Sequence, residues 1–151
     1  MTETETKTKT ILVVDDDAEF AESVRDLLEA YGYVVLTAPD GSQGLKIALE
    51  AKPDLMILDV MMATNTEGFD VARRVHAIPE LVGMPILLVT GVVNAMHLPK
   101  PPEPDSEWLP VDRVLEKPID PARLMKEVER VLHAQIKGGV RDEQEDDPAG
   151  G

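Results

Sequence analysis

An α/β fold with a doubly wound, open, parallel five-stranded sheet is what this 151-residue sequence predicts. Two observations lead there. Short apolar runs alternate with longer amphipathic ones, the pattern of strand-helix repeats. Two of the apolar runs also deliver acid at their C-terminal ends: Ile11-Leu12-Val13-Val14 leads into Asp15, Asp16 and Asp17, and Leu55-Met56-Ile57-Leu58 leads into Asp59. Alternating units need right-handed crossovers between parallel strands, and sheets built this way bind ligands beyond their C-terminal strand ends.

Strand one spans about Thr10 to Val14. Helix one follows, with Phe20, Val24, Leu27, Leu28 and Tyr31 on one stripe at helical spacing, and Asp17 reads as its cap rather than as a metal ligand. Gly32 stands where a left-handed residue closes a helix. Tyr33 to Thr37, rich in β-branched and aromatic residues, is strand two. Helix two runs from about Gly41 to Ala51, with Leu45, Ala48 and Leu49 inward, and Lys52-Pro53 breaks it. Strand three is Asp54 to Leu58; residues Ala63 to Glu67 form a loop, and Gly68 to Ala77 form helix three. Strand four is Pro85 to Val89, its proline at the first position, where no ladder hydrogen bond is lost.

The next segment breaks the pattern. Pro99, Pro101, Pro102, Pro104 and Pro110 lie between Gly91 and Asp112, too dense for a regular helix. A fourth helix is expected to be short, displaced or absent, and this stretch is the expected loop or lid. Strand five is Arg113 to Glu116. Helix five opens with Asp120 as N-cap and Pro121 at its first position, turns Leu124, Val128, Val131 and Leu132 inward, and ends before Gly138-Gly139. The expected organisation is a polar, disordered tail over residues 1–9, one domain over 10–137, and a disordered acidic tail over 138–151 that carries Asp142-Glu143-Gln144-Glu145-Asp146-Asp147.

Composition narrows the function. The net charge of −14 argues against nucleic-acid and anionic-membrane partners, which need a basic face. With no cysteine there is neither a disulfide framework nor a thiolate metal site. No apolar stretch approaches the eighteen or so residues that span a bilayer, and no signal segment opens the chain, so a cytoplasmic protein is expected. His76, His97 and His133 have no ligand spacing and read as surface or structural residues; Trp108 reads as a packing anchor.

The strand ends carry the chemistry. Thr90 follows Ile86-Leu87-Leu88-Val89, and Lys117-Pro118 follows Val114-Leu115-Glu116. Carboxylates crowded together repel unless a proton or a cation joins them. Magnesium suits the set, because it takes oxygen ligands and leaves room for a phosphate oxygen. Asp16 and Asp59 would bind it directly, Asp15 through water, and the backbone carbonyl of Met61 would add a third protein contact. Asp59 can also act as a nucleophile toward phosphorus, giving an acyl phosphate. The Lys117 ammonium and the Thr90 hydroxyl would then hold the equatorial oxygens, and Gly91 would leave space beside them.

The segments Ile11-Leu-Val-Val-Asp-Asp-Asp17, Ile57-Leu-Asp-Val-Met-Met62, Leu88-Val-Thr-Gly91 and Glu116-Lys-Pro118 together resemble the receiver domain of two-component response regulators, over about Thr10 to Lys137. The resemblance implies a flavodoxin-like sheet of order 2-1-3-4-5 and a cis bond at Lys117-Pro118. It implies Asp59 as phospho-acceptor, Asp15 and Asp16 as the acidic metal pair, Thr90 as the switch hydroxyl and Lys117 as the phosphate-contacting lysine. The phosphoryl donor would be a phosphohistidine on a sensor kinase or phosphotransfer protein. Such a domain is a signalling switch that catalyses its own phosphorylation and hydrolysis, not a metabolic enzyme.

The sequence departs from that pattern in places. Ala63 stands where receivers commonly carry proline, Gly68 comes one position late, and the interval from Thr90 to Lys117 is long. Val114 replaces the usual switch aromatic. The departures suggest that the Pro-rich loop with Trp108 senses the phosphate in place of helix four. No output domain fits after Lys137, so a stand-alone receiver acting through protein contacts or a phosphorelay is expected. The alternative is a degenerate receiver, a binding scaffold that no longer cycles phosphate. A dehalogenase-like phosphatase is disfavoured, since Met61 stands where a second aspartate would act as acid and base.

Overall fold

The computed structural model describes residues 8–59, 67–90 and 111–136, without the side chains of Glu67 and residues 134–136. Its elements run β1 (Thr10–Val14), α1 (Ala18–Ala30), β2 (Val34–Ala38), α2 (Gly41–Ala51), β3 (Leu55–Asp59), α3 (Glu67–Ala77), β4 (Ile86–Thr90), β5 (Arg113–Glu116) and α4 (Pro121–Ile136). All four strand pairings are parallel, and the sheet order is β2-β1-β3-β4-β5, as the resemblance implies. The helix predicted from Pro121 onward is α4. Residues 91–110 of the predicted irregular stretch, residues 1–7 and 138–151 of the predicted tails, and with them Met61, Gly91, His97 and Trp108, lie outside the described residues.

Alternation along the buried strands sorts the core into two layers. Leu12, Val14, Met56, Leu58, Ile86 and Leu88 pack with Ala48 of α2 and with Phe69, Ala72 and Val75 of α3. Ile11, Val13, Leu55, Ile57, Leu87 and Val89 face the other way, toward Val24 and Leu28 of α1 and toward Leu124, Val128 and Val131 of α4. Each such Leu or Ile removed from water contributes about 1.5–3 kcal/mol. The three central strands are therefore a stiff base for whatever their ends carry. At Gly44, an added Cβ would lie 2.8 Å from Val14 Cγ2, so the missing side chain lets α2 approach β1 closely.

Local chemistry sets the helix ends. The Asp17 carboxylate accepts from the Glu19 and Phe20 N–H groups, so Asp17 is the N-cap of α1, and Asp40 and Asp120 accept in the same way at α2 and α4. Gly32 takes φ +96° just past α1, a conformation that favours glycine. Lys52 closes α2 in the left-handed region, with its N–H donated to the Ala48 carbonyl.

Several sequence expectations shift. Strands β2, β3 and β4 each lie one residue later than predicted, which makes Asp59 and Thr90 the last residues of their strands. Tyr31 is not on the inward stripe: it follows the end of α1 and is 58% exposed. Leu49 also points outward, because Gly41, Gly44 and Ala48 form the buried stripe of α2 and the next residue turns about 100° away from it. Among the described residues, no helix is long and apolar enough to cross a membrane.

Candidate functional site

Strand register builds the site. Val14 pairs with Leu58, so Asp15, one residue on, emerges beside Asp59. Asp59 in turn pairs with Val89, the neighbour of Thr90. Thr90 pairs with Glu116, and the next N–H, that of Lys117, donates to the Thr90 carbonyl at 2.8 Å. Four adjacent strands thus deliver an acid pair, an acid, a hydroxyl and an amine to one edge of the sheet. The Lys117-Pro118 peptide is cis.

The carboxylates converge. Asp15, Asp16 and Asp59 each offer an oxygen within 4.8 Å of the others. Asp15 and Asp59 are buried, whereas Asp16 opens to solvent. Lys117 Nζ lies 3.1 Å from Asp15 Oδ2 and 3.8 Å from Asp59 Oδ1. The other Asp15 oxygen accepts the Asp17 N–H at 2.8 Å. Thr90 is buried at the end of β4. Burial raises the Asp15 carboxyl above the ordinary 3.8, and the Asp17 N–H and the Lys117 charge offset only part of that rise.

Among the described residues, the ammonium of Lys117 lies against two of the three clustered carboxylates, an arrangement with more negative than positive charge. An all-oxygen donor set with a solvent-facing member fits a hard divalent cation that keeps some of its water. Of the residues singled out in the sequence, Asp15, Asp16, Asp59, Thr90 and Lys117 come to this edge, while the Met61 carbonyl and Gly91 lie outside the described residues. His76 and His133 are on the surface. Val114 is partly buried against the α2–α3 side of the core.

Phe20 is the site neighbour that the apolar pattern conceals. It reads as one more member of the inward stripe of α1, yet Lys117 Nζ stands 4.1 Å from its ring centroid. A usable signal was its position: the third helical residue after the Asp17 cap keeps it at the Asp15 end of the sheet. Its ring also walls an apolar groove of about 630 Å³ with Val24, Leu27, Pro118, Ile119 and Leu124.

The family model of the response regulator receiver domain matches residues 11–129. The chain belongs to that family. As a receiver domain it is 30% identical over 125 residues to the protein PilH of Pseudomonas aeruginosa, an alignment covering 81% of this chain and 96% of PilH. It is 32% identical over 124 residues to the phosphate regulon transcriptional regulatory protein PhoB of the same organism, but spans only 52% of that protein. Among solved structures, a CheY-like receiver domain protein from Methanospirillum hungatei superposes with a TM-score of 0.73 at 26% identity, covering 88% of this chain and all of that one. The chemotaxis protein CheY4 of Vibrio cholerae gives 0.69 at 28% identity, covering 83% and 99%. The receiver family is a signalling family, and the flavodoxin-like sheet order agrees with these neighbours.

Proposed function

We propose that this receiver accepts a phosphoryl group on Asp59 in a magnesium-dependent reaction and passes the signal on through protein contacts or a phosphorelay. The observation that carries the reading is the convergence of three carboxylates with Lys117 at the C-terminal ends of adjacent strands. Asp16 and Asp59 would hold the cation directly, Asp15 through water, with the Met61 carbonyl as a further ligand. Bound there, magnesium would neutralise charge on the transferred group's oxygens.

The chain's own residues do the rest. Asp59, on the stiff central strand β3, is held in place as the nucleophile. One of its oxygens bonds to phosphorus as the phosphorus–nitrogen bond of a phosphohistidine breaks, and the imidazole leaves with its electron pair and takes a proton from water. Lys117 Nζ, between Asp15 and Asp59, would meet the developing negative charge, and the Thr90 hydroxyl would donate to another oxygen. The donor is a sensor histidine kinase or phosphotransfer protein. The alignment takes in nearly all of PilH, which supports reading the receiver as the signalling unit, and a cytoplasmic location is proposed with it.

Incubation with acetyl phosphate and magnesium, followed by intact mass measurement, tests this. A gain of one phosphoryl group that disappears with chelator and in Asp59→Asn is expected. Absence of that gain in the unaltered protein at millimolar magnesium contradicts the proposal. It would favour a phosphorylation-independent scaffold, the reading to which Val114, in place of the family's switch aromatic, points.

A further inference from the structure

We infer that Phe20 is a positioning residue: its ring seats the Lys117 ammonium between Asp15 and Asp59, and so sets how tightly a phosphoryl group is held. The inference rests on the phosphoryl-acceptor reading of the site. Lys117 reaches the cluster on a flexible four-carbon stem, and an ammonium is a compact, strongly hydrated charge that readily swings back to water. Two of its sides face carboxylates, at 3.1 Å and 3.8 Å. The ring, with its centroid at 4.1 Å, takes another. A cation over an aromatic face is attracted by the ring quadrupole, most strongly where water is excluded, and this lysine side chain is only 22% exposed.

The placement has a local cause. The Asp17 side chain accepts the Phe20 N–H at 3.2 Å, which pins the first turn of α1 directly after the acidic pair. The same short segment therefore supplies Asp15, which binds the ammonium, and the ring against which it rests. Phe20 also lines the apolar groove between α1 and the start of α4 and packs against the core layer there, so packing holds it whatever the state of the acids. A leucine at this position would keep the apolar wall and lose the quadrupole; a tryptophan would keep both.

The test compares wild type, Phe20→Leu and Phe20→Trp for beryllofluoride affinity in the presence of magnesium, each with and without Lys117→Ala. Phe20→Leu is expected to weaken beryllofluoride binding by about fivefold, Phe20→Trp to restore it, and Phe20→Leu to have no further effect once Lys117 is alanine. A second readout needs no phosphoryl chemistry: the Lys117 ε-methylene protons of the unaltered protein are expected at a ring-shifted position in NMR that Phe20→Leu abolishes. Equal beryllofluoride affinity in wild type and Phe20→Leu, an equal loss in the Lys117→Ala background, or an unshifted methylene overturns the inference. Failure of the unaltered protein to bind beryllofluoride while the methylene is ring-shifted contradicts instead the phosphoryl-acceptor reading, and with it the proposed effect on phosphoryl affinity.

Discussion

Aspartates stand at both ends of this sheet, and the two ends use them differently. At the N-terminal strand ends, the Asp54 carboxylate accepts the Thr10 N–H at 2.8 Å and the Asp112 carboxylate accepts the Ile86 N–H at 2.9 Å. Each closes a backbone donor that the start of a strand leaves open. At the C-terminal ends, Asp15, Asp16 and Asp59 are turned toward one another, with one lysine among them. A hollow of about 320 Å³ does open at the N-terminal end, between Lys9, Lys52, Asp54 and Glu80, but there both signs of charge are mixed. The same side chain is thus chemically poised where it meets other carboxylates, even though Asp15 also accepts the Asp17 N–H there. Burial alone does not distinguish the two roles; the charge balance of the neighbours does.

Substitution at each end can break this contrast. The largest effect is expected on chemistry. Asp59→Asn abolishes phosphoryl uptake from acetyl phosphate, while Asp54→Ala and Asp112→Ala leave its rate unchanged; a radiolabelled or mass assay checks both. Next comes Lys117→Ala, which removes an ammonium that faces Asp15 and Asp59 and is expected to slow uptake by about 10²-fold or more, the usual cost of losing one charge-stabilising donor.

Stability sharpens the contrast by its sign. Asp54→Ala leaves a strand N–H without its side-chain acceptor and is expected to cost about 1–3 kcal/mol in urea unfolding. Asp59→Asn relieves repulsion among carboxylates and is expected to stabilise the metal-free protein by about 1 kcal/mol. A loss of stability in Asp59→Asn would mean that its pairing with Lys117 outweighs the crowding.

The smallest effect concerns pH. The Asp15 carboxyl is raised in the folded protein, chiefly by burial. Between the ordinary 3.8 and its raised folded value, the native state binds more protons than the unfolded chain. Stability in this window therefore falls as pH rises, and the deficit is complete above the folded value. Without metal, wild type should lose stability relative to Asp15→Asn as pH climbs above the ordinary 3.8 toward the raised folded value. A difference that stays flat across the series would contradict the burial account.

Much of the fold was legible because buried parallel strands carry unbroken apolar runs, and Asp40, Asp120, Gly32 and Lys52-Pro53 punctuate the helices. The bounds of β3 and β4 moved by one residue because the ladder continues through Asp59 and Thr90, whose polar side chains look like loop signals in a sequence. Tyr31 and Leu49 were misplaced for other reasons: Tyr31 falls just past the end of α1, where helical spacing no longer sets its direction, and in α2 two glycines and an alanine form the buried stripe, a weak periodic signal. The acids of the candidate site were visible from strand polarity alone. Phe20 was not, since an apolar residue at helical spacing reads as core, and only its place three residues past the Asp17 cap pointed toward the site.

Manganese titration followed by amide NMR tests the central claim most directly. The paramagnetic ion is expected to broaden amides around Asp15, Asp16 and Asp59 first, to leave those of Asp54 and Asp112 sharp, and to lose its effect when magnesium competes or Asp16 and Asp59 are asparagine. Broadening centred on the N-terminal strand ends, or spread along the chain with no focus, would contradict the claim that this edge of the sheet is built to hold a divalent cation.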